Sequence, residues 1–268
     1  MTAASVQERY EVRSADGFPI PVWRSGYGRP VVLVHGASAN HKTWEWVRPH
    51  LERHFTVLAI DRRSGLVDPS IHYDLGREFE DVAAVANDVG GEINVVGQSS
   101  GAICALGAAT SISNLRRLVL YEPPYLSATE SNTKEMERLL RSGDTEGAAE
   151  CFLRKSVKLS EETLAAIKAA PGWAEVISRA PFLLREEIVL RAWRPKLEDF
   201  AALRAPTLFL TGELTPAEHH HRGFVCPLES AGLNMTLAEI PEQEHGAHTQ
   251  APELFARMVS DFLEEQQT

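Results

Sequence analysis

Cysteine and surplus positive charge are both scarce in this sequence, and each shortage excludes a class of protein. The three cysteines, Cys104, Cys151 and Cys226, are too few and too scattered for a disulfide framework or a zinc site. We therefore expect free thiols and no metal. The formal net charge of -10 leaves no surplus of basic side chains to neutralise phosphates. We expect neither nucleic acid nor a membrane surface as a partner, and a small molecule as the substrate.

Long apolar runs and nucleotide-binding motifs are also missing. No segment reaches the roughly 18 consecutive apolar residues of a membrane-spanning helix, and residues 1–14 lack the apolar core of a signal peptide. We therefore expect a soluble, cytoplasmic protein. No glycine-rich dinucleotide loop and no Walker sequence is present, so we expect no cofactor. The oligomeric state stays open, with a homodimer as the alternative to a monomer.

What the sequence does have is an alternation of short apolar runs with helix-length segments. The runs are rich in Val, Ile and Leu, which is typical of buried parallel strands. An Asp16-Gly17 turn near the start predicts a hairpin at the sheet edge. The pattern predicts an α/β fold with helices on both faces of a mostly parallel sheet. The apolar runs are Val31–Val34, Thr56–Ile60, Ile93–Val96, Leu115–Leu120, Thr207–Leu210 and Met235–Ile240. The predicted helices between or after them are Trp44–Arg53, Leu75–Val89, Gly101–Thr110 and Ala251–Glu265.

The segment 126–200 breaks this alternation, because it has helical patterns and no convincing strand. We interpret it as a helical insertion. Residues 1–125 and 201–268 then form the core, and 126–200 forms an inserted helical unit. The helices predicted within it are Lys134–Ser142, Glu146–Ser156 and Glu161–Ala170.

Ser99 stands where an apolar strand pattern gives way to a helix of small residues, and Gly97 and Gly101 flank it. Such glycines allow a tight strand-to-helix turn in which the serine is strained and its hydroxyl exposed. A serine hydroxyl becomes a useful nucleophile once a base removes its proton. The G-x-S-x-G pattern also occurs in turns with no catalytic role, so the interpretation of Ser99 as a nucleophile depends on its context.

Two further segments supply that context, in the chain order that this kind of nucleophile requires. A buried strand ends in a His-Gly pair, and an acyl-transfer site needs two backbone N–H donors for its oxyanion. We assign these donors to Ala37 and Ser100, and we expect His35 to brace the loop. The second segment follows the last strand and contains His245, which we assign as the general base.

His248 and the histidines at 219–221 give weaker indications of a catalytic or metal-binding role. His248 lies one helical turn beyond His245, and we expect it at the surface or behind the catalytic residues. Glu218 and the histidines at 219–221 have the right chemistry for a metal, but consecutive side chains diverge from one another. We expect a solvated surface there.

Together these segments resemble the α/β-hydrolase fold superfamily, and the resemblance covers nearly the whole chain. It implies the core sheet of that fold, a helical cap at 126–200 and a triad of serine, histidine and acid. Because the superfamily hosts many chemistries, the resemblance specifies the fold and leaves the substrate open. The matching segments are His35-Gly36, Ala59–Arg63, Gly97–Gly101, Leu118–Pro124 and Glu244–Gly246.

The sequence departs from the superfamily at the acid that orients the histidine. Most relatives carry an aspartate where this sequence has Thr215, and a threonine cannot replace it. Glu213 lies two positions earlier in the same loop. Glu122 follows the strand after the nucleophile's strand, where some superfamily members carry their acid, and two prolines stiffen the backbone behind it. We predict Glu122 as the acid, with Glu213 as the alternative.

The predicted substrate pocket combines the His-Gly loop with aromatic residues of the insertion. For the aromatic residues, packing within the cap is the competing interpretation. The predicted pocket residues are His35, Gly36, Trp173, Phe182 and Trp193.

These residues predict a serine hydrolase that cleaves a small ester, lactone or thioester through an acyl-enzyme. Ser99, His245 and Glu122 form its triad. One alternative is an enzyme of this fold in which His245 acts mainly as a base: a lyase, cyclase, C–C hydrolase or cofactor-free oxygenase. The other is a ligand-binding member without turnover. A serine nucleophile argues against epoxide hydrolase and dehalogenase chemistry, which in this fold use a carboxylate.

Overall fold

An eight-stranded sheet forms the centre of the molecule. The computed structural model describes residues 7–37, 39–124, 132–216 and 225–265. The strands are β1 (Glu8–Arg13), β2 (Pro19–Gly26), β3 (Arg29–Val34), β4 (Phe55–Ile60), β5 (Ile93–Gln98), β6 (Leu115–Tyr121), β7 (Thr207–Gly212) and β8 (Met235–Ile240). Their order across the sheet is β1-β2-β4-β3-β5-β6-β7-β8. β2 pairs antiparallel with β1 and β4, and the remaining pairs are parallel. This architecture confirms the predicted fold class, including the edge hairpin.

Helices cover both faces of the sheet, so the central strands are buried on both sides. Along β3, Val32 and Val34 pack into one apolar cluster, whereas Val31 and Leu33 pack into the other. This alternation follows from the two-residue period of a strand. No helix among the described residues is long and apolar enough to cross a membrane. The helices are α1 (Arg48–Leu51), α2 (Leu75–Asp88), α3 (Ser100–Ala109), α4 (Thr133–Arg141), α5 (Thr145–Cys151), α6 (Glu161–Ala169), α7 (Trp173–Ser178), α8 (Ala180–Ala192), α9 (Cys226–Ser230), α10 (Ala247–Gln250) and α11 (Pro252–Glu264).

Two helix predictions were wrong in their extent. The predicted helix Trp44–Arg53 is a short 3₁₀ turn followed by α1, because Pro49 has no N–H and its ring excludes a preceding helical turn. The predicted helix Glu146–Ser156 ends at Cys151 and continues as a π-helical segment, Phe152–Val157. Of the helices that the structure describes, α7, α8, α9 and α10 were not predicted.

Helices α4 to α8 form a layer with an apolar cluster of its own. That cluster includes Met136, Phe152, Leu164 and Leu183. Near the end of α8, Leu190 leaves this cluster and packs against the sheet. The structure therefore contains the expected run of helices in this part of the chain. The predicted boundaries at 126 and 200 stay a prediction, since 125–131 lie outside the described residues.

The sheet register brings the predicted site segments to one edge. Gln98 at the end of β5 pairs with Tyr121 at the end of β6, and Tyr121 pairs with Leu210 of β7. Parallel strands that end in register deliver the loops that follow them to the same edge of the sheet. The loops after β3, β5, β6, β7 and β8 therefore meet there.

Candidate active site

Ser99 occupies the sharp turn between β5 and α3. Its φ of 54° and ψ of -126° lie outside the regions that non-glycine residues normally adopt. A Cβ on Gly97 would approach Gly101 O to 2.5 Å, and one on Gly101 would approach His35 O to 2.3 Å. Side chains are therefore excluded at both flanking positions. Ser99 itself is partly exposed, so the turn presents its hydroxyl at the carboxyl edge of the sheet.

The His-Gly loop after β3 lies against this turn. A Cβ on Gly36 would lie 2.9 Å from Cβ of Ser99. Ala37 follows in this loop, and Ser100 begins α3, where backbone N–H groups are unpaired and the helix dipole favours negative charge. The two predicted oxyanion donors therefore belong to segments that meet at Ser99. Their role as donors stays a prediction.

His35 is held from both ring nitrogens. Nδ1 bonds to Gly36 O at 2.8 Å, and Nε2 accepts the backbone N–H of Arg62 at 3.1 Å. Burial and the Arg62 guanidinium lower the pKa of His35 to about 4, so the ring is neutral at ordinary pH. These contacts fit the bracing role that we expected for His35.

Arg62 extends this brace into a buried network. Its Nη1 donates to His35 O at 3.1 Å and to Oγ of Ser100 at 2.9 Å. Its Nε donates to Glu78 at 2.5 Å, and its Nη2 donates to Glu186 on α8 at 2.7 Å. One guanidinium therefore links the His-Gly loop, the start of α3 and a cap helix. Our interpretation of the sequence missed this network.

Glu122 is the acidic residue that contacts His245. Its Oε2 lies 2.8 Å from Nδ1 of His245. Its Oε1 accepts the backbone N–H of Gly212 and the hydroxyl of Thr211, both at 2.8 Å. Both donors belong to β7, so this strand holds the carboxylate of Glu122 in place. Glu122 also has a positive φ of 49°, an uncommon conformation for a glutamate.

Glu213, the alternative acid, has a different position. It is exposed, and its Oε2 accepts the backbone N–H of Glu242 at 2.8 Å. Thr215 leaves its buried hydroxyl without a partner among the described residues. Of the two candidates, the geometry brings Glu122 to His245.

Tyr121 fixes the loop that carries His245. Its hydroxyl donates to Glu244 O at 2.9 Å and accepts the N–H of Ala247 at 3.0 Å. These two residues bracket His245, and the two rings lie 6.3 Å apart and nearly parallel. The sequence does carry a signal for this contact, since a tyrosine at the end of a buried strand needs a partner for its hydroxyl. We had not used it.

Gln98 occupies the other side of the imidazole. Its Oε1 accepts the N–H of Gly36 at 2.9 Å, and its Nε2 lies 3.2 Å from Nε2 of His245. Among the described side chains, the hydrogen bond to this nitrogen comes from Gln98, and Ser99 makes none to it. Our interpretation of the sequence gave Gln98 no role.

His248 is buried, which excludes the surface position and agrees with the other predicted position, behind the catalytic residues. Its ring packs against Trp44, Tyr121 and Phe255. Burial, with a smaller effect of the neighbouring His245, lowers its pKa to about 3. The ring is therefore a neutral part of the core behind His245.

The aromatic residues of the predicted pocket have packing partners. Trp173 packs among the cap helices, and its indole N–H donates to Glu146 at 3.0 Å. The ring of Trp193 meets that of Phe79 on α2 edge-on, with centroids 5.8 Å apart. Phe182 is partly buried on α8. The competing interpretation, packing, describes both tryptophans, and a substrate-lining role stays a prediction.

Cys104 and Cys151 are buried free thiols, as expected. The run 218–221 lies outside the described residues. In the part of the chain that the structure describes, no group of three or more His, Cys, Asp or Glu residues could hold a metal ion.

Comparison with known proteins agrees with this architecture. The profile of the Alpha/beta hydrolase family matches residues 31–258. An alpha/beta hydrolase structure from Sphaerobacter thermophilus is 30% identical, with a TM-score of 0.79 over 95% of this chain and 100% of that one. The enol-lactonase of Burkholderia xenovorans is 16% identical, with a TM-score of 0.74 over 96% of this chain and 100% of that one.

A curated relative is similar over a shorter stretch. A 2-hydroxy-6-oxo-6-(2'-aminophenyl)hexa-2,4-dienoic acid hydrolase from Metapseudomonas resinovorans is 30% identical over 109 residues, which is 38% of each chain. The matched stretch thus spans well under half of that protein.

The strained serine turn, the parallel sheet and the family profile lead to the same class. This chain belongs to the alpha/beta hydrolase family. The resemblance and the fold inferred from the sequence are thereby confirmed.

Proposed function

We propose that this protein is a serine hydrolase that cleaves a small ester, lactone or thioester through an acyl-enzyme. One observation carries the proposal. Nδ1 of His245 lies 2.8 Å from the buried carboxylate of Glu122, at the sheet edge where Ser99 occupies its strained turn. A histidine oriented by a carboxylate in this way activates a neighbouring serine hydroxyl.

In the proposed mechanism, Oγ of Ser99 attacks the acyl carbon, and its proton passes to Nε2 of His245. The carboxylate of Glu122 stabilises the imidazolium that forms. The acyl oxygen becomes an anion and accepts the backbone N–H groups of Ala37 and Ser100. Collapse of this adduct expels the alcohol or thiol, which takes the proton from Nε2. Water, deprotonated by His245, then attacks the acyl-enzyme; the bond to Oγ of Ser99 breaks, Oγ takes the proton back from Nε2, and the acid is released.

The similar proteins suggest which substrates to try first. One is named an enol-lactonase and another a hydrolase of an oxo-dienoic acid. The first name supports a screen that begins with lactones, and the second supports adding oxo-dienoic acids to that screen. The low identity to the first and the short alignment to the second leave the natural substrate open.

Intact-mass analysis after treatment with a fluorophosphonate tests the proposal. We expect one adduct on the wild type and none on Ser99→Ala. Ser111→Ala, which alters an exposed serine, is the matched control and should label like the wild type. A folded wild-type protein that takes no adduct, while the same probe labels another serine hydrolase, would contradict the proposal.

One observation favours a second candidate, in which His245 takes a proton directly from the substrate. Nε2 of His245 is hydrogen-bonded by Gln98 and not by Ser99. Chemistry led by the base, such as a C–C hydrolase or a lyase, does not require a serine proton transfer. Under this candidate, Ser99→Ala keeps measurable turnover and His245→Ala does not.

A further inference from the structure

Gln98 has an orientation that its surroundings fix. The backbone N–H of Gly36 can only donate, so the Gln98 atom that it contacts at 2.9 Å must be the carbonyl oxygen, Oε1. The other end of the amide is then the NH₂ group, which lies 3.2 Å from Nε2 of His245. Gln98 is itself buried. A buried amide with both ends occupied keeps one orientation.

The tautomer of His245 follows from its other partner. A carboxylate accepts, so Nδ1 of His245 carries the proton that it donates to Glu122 at 2.8 Å. In the neutral ring, Nε2 then holds the lone pair. The N–H of Gln98 therefore points at the electron pair that a general base uses.

We propose that Gln98 is a positioning residue that holds His245 in its neutral form by donating to Nε2, and that this bond must break when Ser99 transfers its proton. The inference rests on the proposed function, because it assigns His245 as the base. An imidazolium carries a proton on Nε2, and two N–H groups facing each other repel. Gln98 therefore opposes protonation of His245 until its own amide swings away.

The same amide connects two parts of the site. Its oxygen holds Gly36 in the His-Gly loop, and its nitrogen holds the imidazole. One side chain therefore couples the position of this loop to the contact at Nε2 of His245.

The groups around His245 separate this effect from others. Tyr121 faces it from the end of β6 and Glu122 from the residue after that strand, and the neutral ring of His248 lies behind it on α10. Glu244 precedes it, and its carboxylate accepts the hydroxyl of the cap residue Thr163 at 3.3 Å. Gln98 is the group at Nε2, so substitutions there change one contact of the ring.

Gln98→Glu is the informative variant, because it keeps the shape and keeps an oxygen for the N–H of Gly36. It replaces the NH₂ group with a carboxylate oxygen beside Nε2. Such an oxygen stabilises the imidazolium, so the midpoint of His245 protonation should rise by about one pH unit or more. At a pH below the wild-type midpoint the labelling rate of Ser99 should fall about tenfold, and it should recover at higher pH.

Two further variants serve as comparisons for Gln98→Glu. Gln98→Met removes the N–H donor without adding a charge, so the midpoint should rise by less than in Gln98→Glu. Gln250→Glu adds the same charge on α10, where its exposed side chain lies over Gly246. It should leave both the midpoint and the labelling rate close to the wild type.

Nitrogen NMR of the histidine side chains, titrated in the Ser99→Ala background, measures the midpoint without any need for activity. A rise in Gln98→Glu and a smaller rise in Gln98→Met, with Gln250→Glu unchanged, would support the proposal. An unchanged midpoint in Gln98→Glu, or an equal rise in Gln250→Glu, would overturn it. Failure of the proposed function would instead appear as absent phosphonate labelling of the wild type. Should Gln98→Glu not fold, Gln98→Met alone decides.

Discussion

Two buried carboxylate clusters meet the nucleophile turn, one through the residue before Ser99 and the other through the residue after it. The histidine cluster consists of Glu122, His245 and Gln98. The arginine cluster consists of Arg62, Glu78 and Glu186, and it reaches the turn through Ser100. Both clusters hold buried carboxylates next to a nitrogen-containing side chain. They differ in whether that side chain can gain and lose a proton.

The arginine cluster is closed and permanently charged. The side chains of Arg62, Glu78 and Glu186 are 1 to 3% exposed, and a guanidinium does not lose its proton in proteins. Although burial alone would raise the pKa of Glu78, Arg62 and hydrogen bonds hold it below its ordinary value. The imidazole of His245 is 22% exposed and can change charge. One cluster keeps residues in position, and the other is suited to moving a proton.

Removing the acid of the histidine cluster should have the largest effect on activity. Glu122→Gln keeps the shape of the side chain but loses the charge that orients His245 and stabilises its cation. We expect the rate of Ser99 labelling by a fluorophosphonate to fall about 10³-fold or more. The matched variant Glu213→Gln, in an exposed residue that contacts Glu242, should keep near wild-type reactivity. The opposite ranking would transfer the role of acid to Glu213.

Removing the cation of the arginine cluster should have the largest effect on stability. Arg62→Met leaves the two buried carboxylates of Glu78 and Glu186 without the counter-charge that both contact. We expect the free energy of unfolding, measured with urea, to fall by about 3–5 kcal/mol.

Arg138→Met is the control for that variant, because it removes an arginine from the exposed pair with Glu135. Exposed pairs of this kind contribute at most about 1 kcal/mol. Equal losses in the two variants would mean that Arg62 contributes no more than a surface ion pair.

The buried histidines should make stability depend on pH. Burial lowers the folded-state pKa of His248 to about 3 and that of His35 to about 4, against 6.5 for a free histidine. Below pH 6.5 the unfolded chain therefore binds protons that the folded chain does not. The contribution of these two histidines to stability is constant above that pH and falls as the pH drops toward the folded values, by about 1.4 kcal/mol per unit for each histidine.

His248→Phe tests this pH dependence, because it keeps an aromatic ring among Trp44, Tyr121 and Phe255 and removes the proton site. Between pH 6 and 4, the free energy of unfolding should depend less steeply on pH in this variant, and the difference in slope should equal the contribution of one histidine. His54→Phe, which alters a half-exposed ring, should keep the wild-type slope. An unaltered slope in His248→Phe would mean that His248 takes up its proton without unfolding.

The centre of the sheet was predictable because its strands are buried on both faces. Each apolar run falls within a strand, and the ends differ by only a few residues. The prediction missed α8 because its buried stripe is Leu183, Glu186, Glu187 and Leu190. Two glutamates in a buried stripe look like a solvated face, and nothing local reveals their partners. Glu186 bonds to Arg62, which is 124 positions away in the chain.

The site residues likewise fall into those that the sequence predicts and those that it does not. Ser99, Ala37 and His245 could be found because each belongs to a short pattern that its local chemistry requires. Gln98 and Tyr121 were missed, although each is adjacent to a residue that we had singled out. Their roles depend on contacts 147 and 123 positions away, which a single sequence does not encode locally. Choosing between Glu122 and Glu213 likewise needed the distance to His245.

The smallest predicted effect concerns the link between α8 and the nucleophile turn. Glu186 and Glu187 are adjacent on α8, and each is 3% exposed. Glu186 reaches Arg62 in the core, whereas Glu187 bonds to Ser156 and Arg191 within the layer of helices α4 to α8. The two residues therefore separate the stability of this helical layer from the position of the turn.

In both Glu186→Gln and Glu187→Gln, a buried contact between two charges becomes a hydrogen bond from an arginine to a neutral amide. Each variant should therefore destabilise the protein by about 1–3 kcal/mol. Only Glu186→Gln loosens the guanidinium that also holds Ser100 and His35, so only it should slow Ser99 labelling, by about tenfold at saturating probe. Probe affinity should stay unchanged in both. Equal labelling rates would confine the arginine cluster to stability, and slower labelling in Glu187→Gln alone would show that the cap acts on the site by another route.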